Sequence, residues 1–304
     1  MKQEFYSNGK LLITGEYAVL DGAKALALPT KFGQHLTVEN ATENQIEWIS
    51  LDPDDSIWLH EMIPFERILN NEKFPPEETI KNTLLQILHE AYNLNPQIID
   101  NASGFKATTR LTFPRNWGLG TSSTLINNIA QWASIDAFEL LEKSFGGSGY
   151  DIANAQHDTP ILFQRYDGKY AVEEITFEPK FTHQLYFVYL NKKQNSKAAI
   201  ASYYSKRNDN TDLISQIDRL THKISSASDI QKFRQYIDEH EQIMSSVLEM
   251  KTAKELYFQD FSGSIKSLGA WGGDFVLAIS EENPTAYFHK KGFSTVVPYR
   301  EMIL

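Results

Sequence analysis

Apolar and polar positions recur along the chain with two distinct periods, and the changes of period divide it into elements. Phe5 to Val38 mixes short apolar runs (Leu11-Leu12-Ile13, Tyr17 to Leu20, Ala25 to Leu28) with Gly9, Gly15, Gly22 and Pro29, a pattern of short strands joined by tight turns. Gln45 to Leu51 alternates as a strand does, and Pro53-Asp54-Asp55 supplies a turn. Glu77 to Leu94 carries a helical stripe of Ile80, Leu84, Leu85, Leu88 and Ala91 behind Pro75-Pro76. Phe105 to Phe113 alternates again and stops at Pro114. Gly118-Leu119-Gly120 then leads into a helix marked by Leu125, Ile126, Ile129, Ala130 and Ala133. Ile161 to Phe163 and Tyr170 to Ile175 flank Asp167-Gly168 as a hairpin. Leu185 to Leu190 reads as a buried strand, with a domain boundary just before it. Helices are expected over 198–206, 211–225 and 229–249, the last with apolar positions at Ile230, Phe233, Ile237, Ile243, Val247 and Leu248. A strand over 275–279, a short helix over 284–290 begun at Asn283, and a strand over 292–297 close the chain.

A chain of 304 residues is long enough for two packed domains. The formal net charge of −10 repels a phosphate backbone over most of the surface, so a nucleic-acid partner is disfavoured and any anionic substrate must be met locally. With no cysteine, disulfides, thiolate metal sites and cysteine nucleophiles are excluded. MKQEFYSNGK lacks the apolar core of a signal peptide, and no apolar run is long enough for a membrane span, which makes the cytoplasm the expected location.

Candidate chemistry concentrates in three glycine-bearing segments. Pro114-Arg115-Asn116-Trp117-Gly118-Leu119-Gly120-Thr121-Ser122-Ser123 lies where a strand turns into a helix. Glycines there let backbone N–H groups surround an anion, and the helix N-terminus adds a favourable partial charge. Its hydroxyls are equally suited to capping the helix, so composition alone leaves both readings open. The segment is neither a P-loop, since the Gly-Lys-Ser/Thr ending is absent, nor a GxGxxG fingerprint. The other two segments are Asn8-Gly9-Lys10-Leu11-Leu12-Ile13-Thr14-Gly15-Glu16-Tyr17-Ala18-Val19-Leu20 and Lys266-Ser267-Leu268-Gly269-Ala270-Trp271-Gly272-Gly273-Asp274-Phe275.

In this order the three segments resemble the first, second and third motifs of the GHMP kinases, the superfamily of galactokinase, homoserine kinase, mevalonate kinase and phosphomevalonate kinase. Gly147-Ser148-Gly149-Tyr150-Asp151 resembles the segment that carries the catalytic aspartate in mevalonate-kinase-like members. The resemblance implies an α+β, two-domain fold: an N-terminal left-handed βαβ domain over 1–183 and a C-terminal ferredoxin-like domain over 184–304. It implies ATP and Mg²⁺ as cofactors, with Pro114, Gly118, Leu119, Gly120, Thr121, Ser122 and Ser123 around the nucleotide phosphates. Lys10 would orient the acceptor and stabilise charge, and Asp151 would take the acceptor's proton or hold Lys10. Ser122 and Glu142 would ligate the metal, with Glu139 one helical turn away as the alternative. Lys10, Glu16, Ser148, Gly272 and Gly273 would line the acceptor site, with Lys193 a weaker candidate.

Gly15-Glu16-Tyr17-Ala18-Val19 and Gly272-Gly273-Asp274 are more similar to the phosphomevalonate kinases. The expected reaction is therefore phosphoryl transfer to mevalonate or phosphomevalonate, with a small-molecule acceptor as partner, no nucleic acid and no membrane; a homodimer is left open. The alternatives are a diphosphomevalonate decarboxylase-like lyase and a non-catalytic binding or regulatory protein on the same fold. Thr121 stands where the motif has serine and Trp271 where it has glycine, and the stretch before Asp151 is short for the superfamily. Trp271 is accordingly expected to narrow the cleft or to change its acceptor.

Overall fold

The computed structural model describes residues 2–192, 200, 201, 203–205 and 211–304. Lys193 lies outside these, as does part of the helix expected over 198–206. In chain order the strands are β1 (Lys2–Thr14), β2 (Ala25–Asn40), β3 (Gln45–Leu51), β4 (Ile57–Pro64), β5 (Phe105–Leu111), β6 (Ile161–Tyr166), β7 (Lys169–Glu174), β8 (Leu185–Tyr189), β9 (Ser264–Ser267), β10 (Phe275–Ile279) and β11 (Val296–Pro298). The helices are α1 (Phe65–Leu69), α2 (Thr79–Leu94), α3 (Gln97–Asp100), α4 (Thr121–Ala133), α5 (Ala137–Ser144), α6 (Tyr150–Ala155), α7 (Thr211–Ser225), α8 (Ile230–Leu248), α9 (Ala253–Tyr257), α10 (Thr285–Lys290) and α11 (Tyr299–Met302).

Contacts divide the chain into two compact units that do not follow chain order. One comprises Met1–Gly9, Phe32–Arg115 and Leu119–Gln156; the other comprises Lys10–Lys31, Asn116–Gly118 and His157–Leu304. A single cut between 183 and 184 falls inside the second unit, which contains His157–Leu304 without a break, and β1 and β2 each contribute residues to both units. These two long strands replace the short ones expected over 5–38. Gly9 and Pro29 sit within strands, and only Gly15 and Gly22 turn the chain, at φ +87° and +98°.

In the first unit β3 pairs antiparallel with β4 and parallel with β5, and β5 pairs antiparallel with the second half of β2. β3 and β5 alternate in burial. In β3, Ile46 and Trp48 face a core shared with Leu36 and Val38 of β2 and Ala107 of β5. Helices α2, α4, α5 and α6 close that core. The stripe on α2 is the expected one at Leu84, Leu85, Leu88 and Ala91, which are buried together with Ile87, whereas Ile80 is 56% exposed in the first turn, ahead of the packed part of the helix.

In the second unit the first residues of β2 pair antiparallel with β6, and β6 with β7, through a turn whose Asp167 and Gly168 both have positive φ. β8 to β11 form a separate antiparallel sheet in the order β11-β8-β10-β9. With helices after β8 and β10, this is the ferredoxin-like βαββαβ arrangement. One face, from Tyr186, Val188, Val276, Ala278 and Ile265, packs on Phe258, Phe261 and Phe288. Asp229 caps α8 by accepting from the Lys232 N–H at 2.9 Å. Among the described residues no helix is long and apolar enough to cross a membrane.

Candidate functional site

Past β5 the chain makes a short 3-10 turn, Arg115–Trp117, and enters α4 through two left-handed glycines, Gly118 at φ +70° and Gly120 at φ +98°. Gly120 is the residue before the helix and has no side chain, so no side chain caps the first turn of α4. The Ser123 hydroxyl instead donates back to the Gly120 carbonyl at 2.9 Å. That of Thr124 donates to Gln34 Oε1 at 2.7 Å or to the same carbonyl at 3.0 Å. Capping by Ser123 or Thr124, open on composition, is not what the structure adopts. The first-turn N–H groups of a thirteen-residue helix are thus left without a side-chain cap at its positive end, with Ser122 exposed beside them. Leu119 is fully buried and anchors the loop, while Pro114 is exposed at its start.

Three further left-handed glycines, Gly146, Gly147 and Gly149, bring the chain into α6 in the same unit. A Cβ added at Gly146 or Gly147 meets nothing within 4 Å, so the backbone there borders open space. Asp151 is half-buried in the first turn of α6, which Gly149 opens without a side-chain cap. Ser148 is buried. Glu142 is exposed on α5, and Glu139 pairs with Lys143 at 3.6 Å. Among the described residues no cluster of three or more His, Asp or Glu suits a metal ion. Ser122 and Glu142 are hard oxygen donors in exposed positions, which fits Mg²⁺, an ion that keeps several waters and phosphate oxygens and asks little of the protein.

In the second unit the Lys10 ammonium donates to the Gly118 carbonyl at 3.3 Å. Gly118 is required there, since a Cβ would lie 2.5 Å from the Asp274 carboxyl carbon. Gly272 and Asp274 also have positive φ, and Trp117 meets Phe275 edge-on at 5.4 Å. Lys10, Gly118 and the Gly272-Gly273-Asp274 turn are thus brought to one place. Trp271 is not exposed beside them. It is 2% accessible, packed with Tyr17, Leu213, Met244 and Leu248, and its backbone N–H donates to the Tyr17 hydroxyl at 3.0 Å. The expectation that Trp271 narrows the cleft is corrected: the indole fills the core beneath the loop.

Glu16 is also buried, at 1% exposure, in a cluster that reading by residue type did not reveal. Lys266 of β9 donates to Glu16 Oε1, and its ammonium lies 3.1 Å from Glu241 Oε1 of α8. Glu241 Oε2 accepts from the Ser267 hydroxyl at 3.1 Å, and the Gly15 N–H donates to His240 Nε2 at 3.2 Å. Burial pushes Glu16 up to about 7 against the pull of Lys266, and raises Glu241 in the same way. Burial works against the Lys266 ammonium, but the two carboxylates outweigh it and hold its pKa above the ordinary value. Burial, reinforced by Lys266, drives His240 well below its ordinary value. The signal for His240 and Glu241 is their place in the apolar stripe of α8, between Phe233, Ile237 and Met244. Gly15 opens the turn that carries Glu16. A Cβ there would stand 2.8 Å from the Lys24 carbonyl oxygen and 2.9 Å from the Ala25 Cα. Gly15→Ala is expected to cost about 2–3 kcal/mol of stability in a urea titration, and a loss under about 0.5 kcal/mol would contradict this packing.

Two open clefts, of about 360 and 490 Å³, lie elsewhere. The first is lined by Gln3, Asn40, Gln97 and Trp132, the second by Arg234, Asp260 and Tyr287, and neither includes a residue expected to act on nucleotide or acceptor.

No family model and no curated protein matches the chain. Solved structures do. The Methanococcus jannaschii mevalonate kinase is similar at TM-score 0.69 and 15% identity, over 97% of this chain and 96% of that one. The Streptococcus pneumoniae phosphomevalonate kinase in complex with phosphomevalonate and AMPPNP is similar at 0.70 and 15%, over 97% and 99%. The Lactococcus lactis galactokinase complexed with galactose is similar at 0.69 and 14%, over 95% and 88%. The chain therefore has the α+β fold of the GHMP kinases along nearly its whole length.

Proposed function

We propose that the protein is a GHMP-type kinase that transfers the terminal phosphoryl group of ATP to a small-molecule acceptor, with mevalonate or phosphomevalonate as the favoured acceptors. The observation that carries this reading is the uncapped N-terminus of α4 behind two left-handed glycines, in a fold whose solved examples phosphorylate small molecules. The backbone N–H groups of Thr121, Ser122 and Ser123 would hold the triphosphate. Lys10 would neutralise charge on the acceptor oxygen and the transferred group. A bond forms between the acceptor oxygen and the γ-phosphorus as the bond to the β-phosphate oxygen breaks, and ADP leaves. Where the acceptor is a hydroxyl, Asp151 would take its proton. Mg²⁺, when bound through Ser122 and Glu142, would supply charge neutralisation across the phosphates.

The reading is tested by ADP release from purified protein with Mg-ATP and each of mevalonate, phosphomevalonate, diphosphomevalonate, homoserine and galactose, with Asp151→Ala as control. Turnover on one acceptor, lost in the control, is the expected result. ATP binding without turnover on any of them would sink the reading, and release of CO₂ with diphosphomevalonate would replace it with the lyase.

A further inference from the structure

The buried cluster beneath the first and third motifs has an unbalanced charge. Glu16, Glu241, Lys266 and His240 are each at most 2% exposed. His240 Nε2 accepts the Gly15 N–H, so that nitrogen carries no proton and the imidazole is neutral, with its proton on Nδ1. Its 3.5 Å approach to Glu16 Oε2 is therefore not the ion pair its distance suggests. Two carboxylates against one ammonium would leave a net negative charge in a dry interior, which is costly. The oxygens show where the imbalance lies. Glu16 Oε1 and Glu241 Oε1 face the Lys266 ammonium, and Glu241 Oε2 faces the Ser267 hydroxyl. Glu16 Oε2 has no donor, and it lies 3.5 Å from His240 Nε2, whose one lone pair accepts the Gly15 N–H.

We propose that Glu16 is held as the neutral acid, its proton on Oε2, and that it is a positioning residue rather than a contact to the acceptor. A proton at that atom removes the charge of an oxygen that has no donor and lies 3.5 Å from another electron-rich atom, and it leaves the Lys266–Glu241 pair balanced. The joint it completes ties the Gly15-Glu16-Tyr17 turn to β9 and α8, whose Lys266 opens the third-motif segment. Tyr17 adds a second tie through the Trp271 backbone N–H. Elsewhere on the α8–β9 contact Asp238 accepts from Ser264 and Arg234 donates to Ser264 and to the Ser262 carbonyl. The inference rests on the kinase reading for what is positioned, and not for the proton itself.

Infrared spectroscopy of the full chain reads the proton directly, through the carbonyl stretch of a protonated carboxyl group. At about pH 6, where ordinary carboxyls are ionised, the wild type should show this band and lose it on titration to about pH 9. Glu16→Gln should lack it. Glu241→Gln, which guards against misfolding of the Glu16→Gln variant, should keep the band but lose it at lower pH, because a like charge that favours the neutral acid is gone. A wild type without the band at pH 6, a band that survives Glu16→Gln, or one abolished outright by Glu241→Gln overturns the assignment. In the kinase reading kcat declines with the same pH midpoint as the band. A titrating band in a protein that turns over no acceptor sinks the kinase reading alone, and a kcat indifferent to the band's titration overturns the positioning role.

Discussion

Lys266→Met is expected to destabilise the protein by about 3–5 kcal/mol at pH 8, the cost of leaving a buried carboxylate without its cation. The ammonium is fully buried and is shared by Glu16 and Glu241, so removing it strands charge rather than trimming a surface pair. The sign of the pH dependence follows from linkage. Without Lys266 the Glu241 carboxyl rises further above its ordinary value. The stability it contributes is complete below pH 4.5 and is lost as pH rises through the folded value. The deficit of Lys266→Met should therefore shrink on acidification to about pH 5 and grow again above neutrality. In the wild type these trends are partly masked. Glu16, raised from 4.5 to about 7, loses stability over that interval, while His240, held neutral well below 6.5, costs stability as pH falls below 6.5. The difference between variant and wild type, followed by urea unfolding at several pH values, isolates the effect. A deficit below about 1 kcal/mol, or one that does not vary with pH, would show that the cluster is wetter than its geometry implies.

Asp151→Asn should lower kcat by roughly 10²–10⁴-fold if the acceptor is a hydroxyl, while leaving ATP affinity and the melting temperature close to wild type. The side chain is half-buried in the first turn of α6, and an amide of the same shape keeps the helix start intact. The position of the loss separates the two acceptors. A phosphate acceptor is already anionic and needs no proton acceptor, so its transfer would fall less. Steady-state kinetics across pH 6–9, with ATP binding measured by calorimetry, give both quantities. A loss smaller than about tenfold on every acceptor would remove Asp151 from the chemistry.

Much of the architecture was legible because periodicity reports burial. β3 and β10 have the bounds that alternation and apolar continuity predict, and α7 spans 211–225 as expected. The hairpin at Asp167-Gly168 formed because its turn geometry needs the positive φ that these residues adopt readily. Gly9 and Pro29 misled the reading of the first strands. Each is a turn signal locally, yet pairing across β1 and β2 holds both in extended backbone.

At the candidate site the chain by itself determined the order and spacing of the glycine segments, and with them the left-handed turns that open α4 and α6. Those turns are local events, set by the absence of a Cβ at Gly118, Gly120 and Gly149. Only the tertiary structure decided that Trp271 is core, and that Glu16, Lys266, Glu241 and His240 meet. Glu16 and Lys266 are 250 residues apart, and nothing in the neighbourhood of either signals the other. A charged side chain reads as solvated until long-range packing removes the water, and it is that desolvation which creates both the ion pair and the demand for a proton.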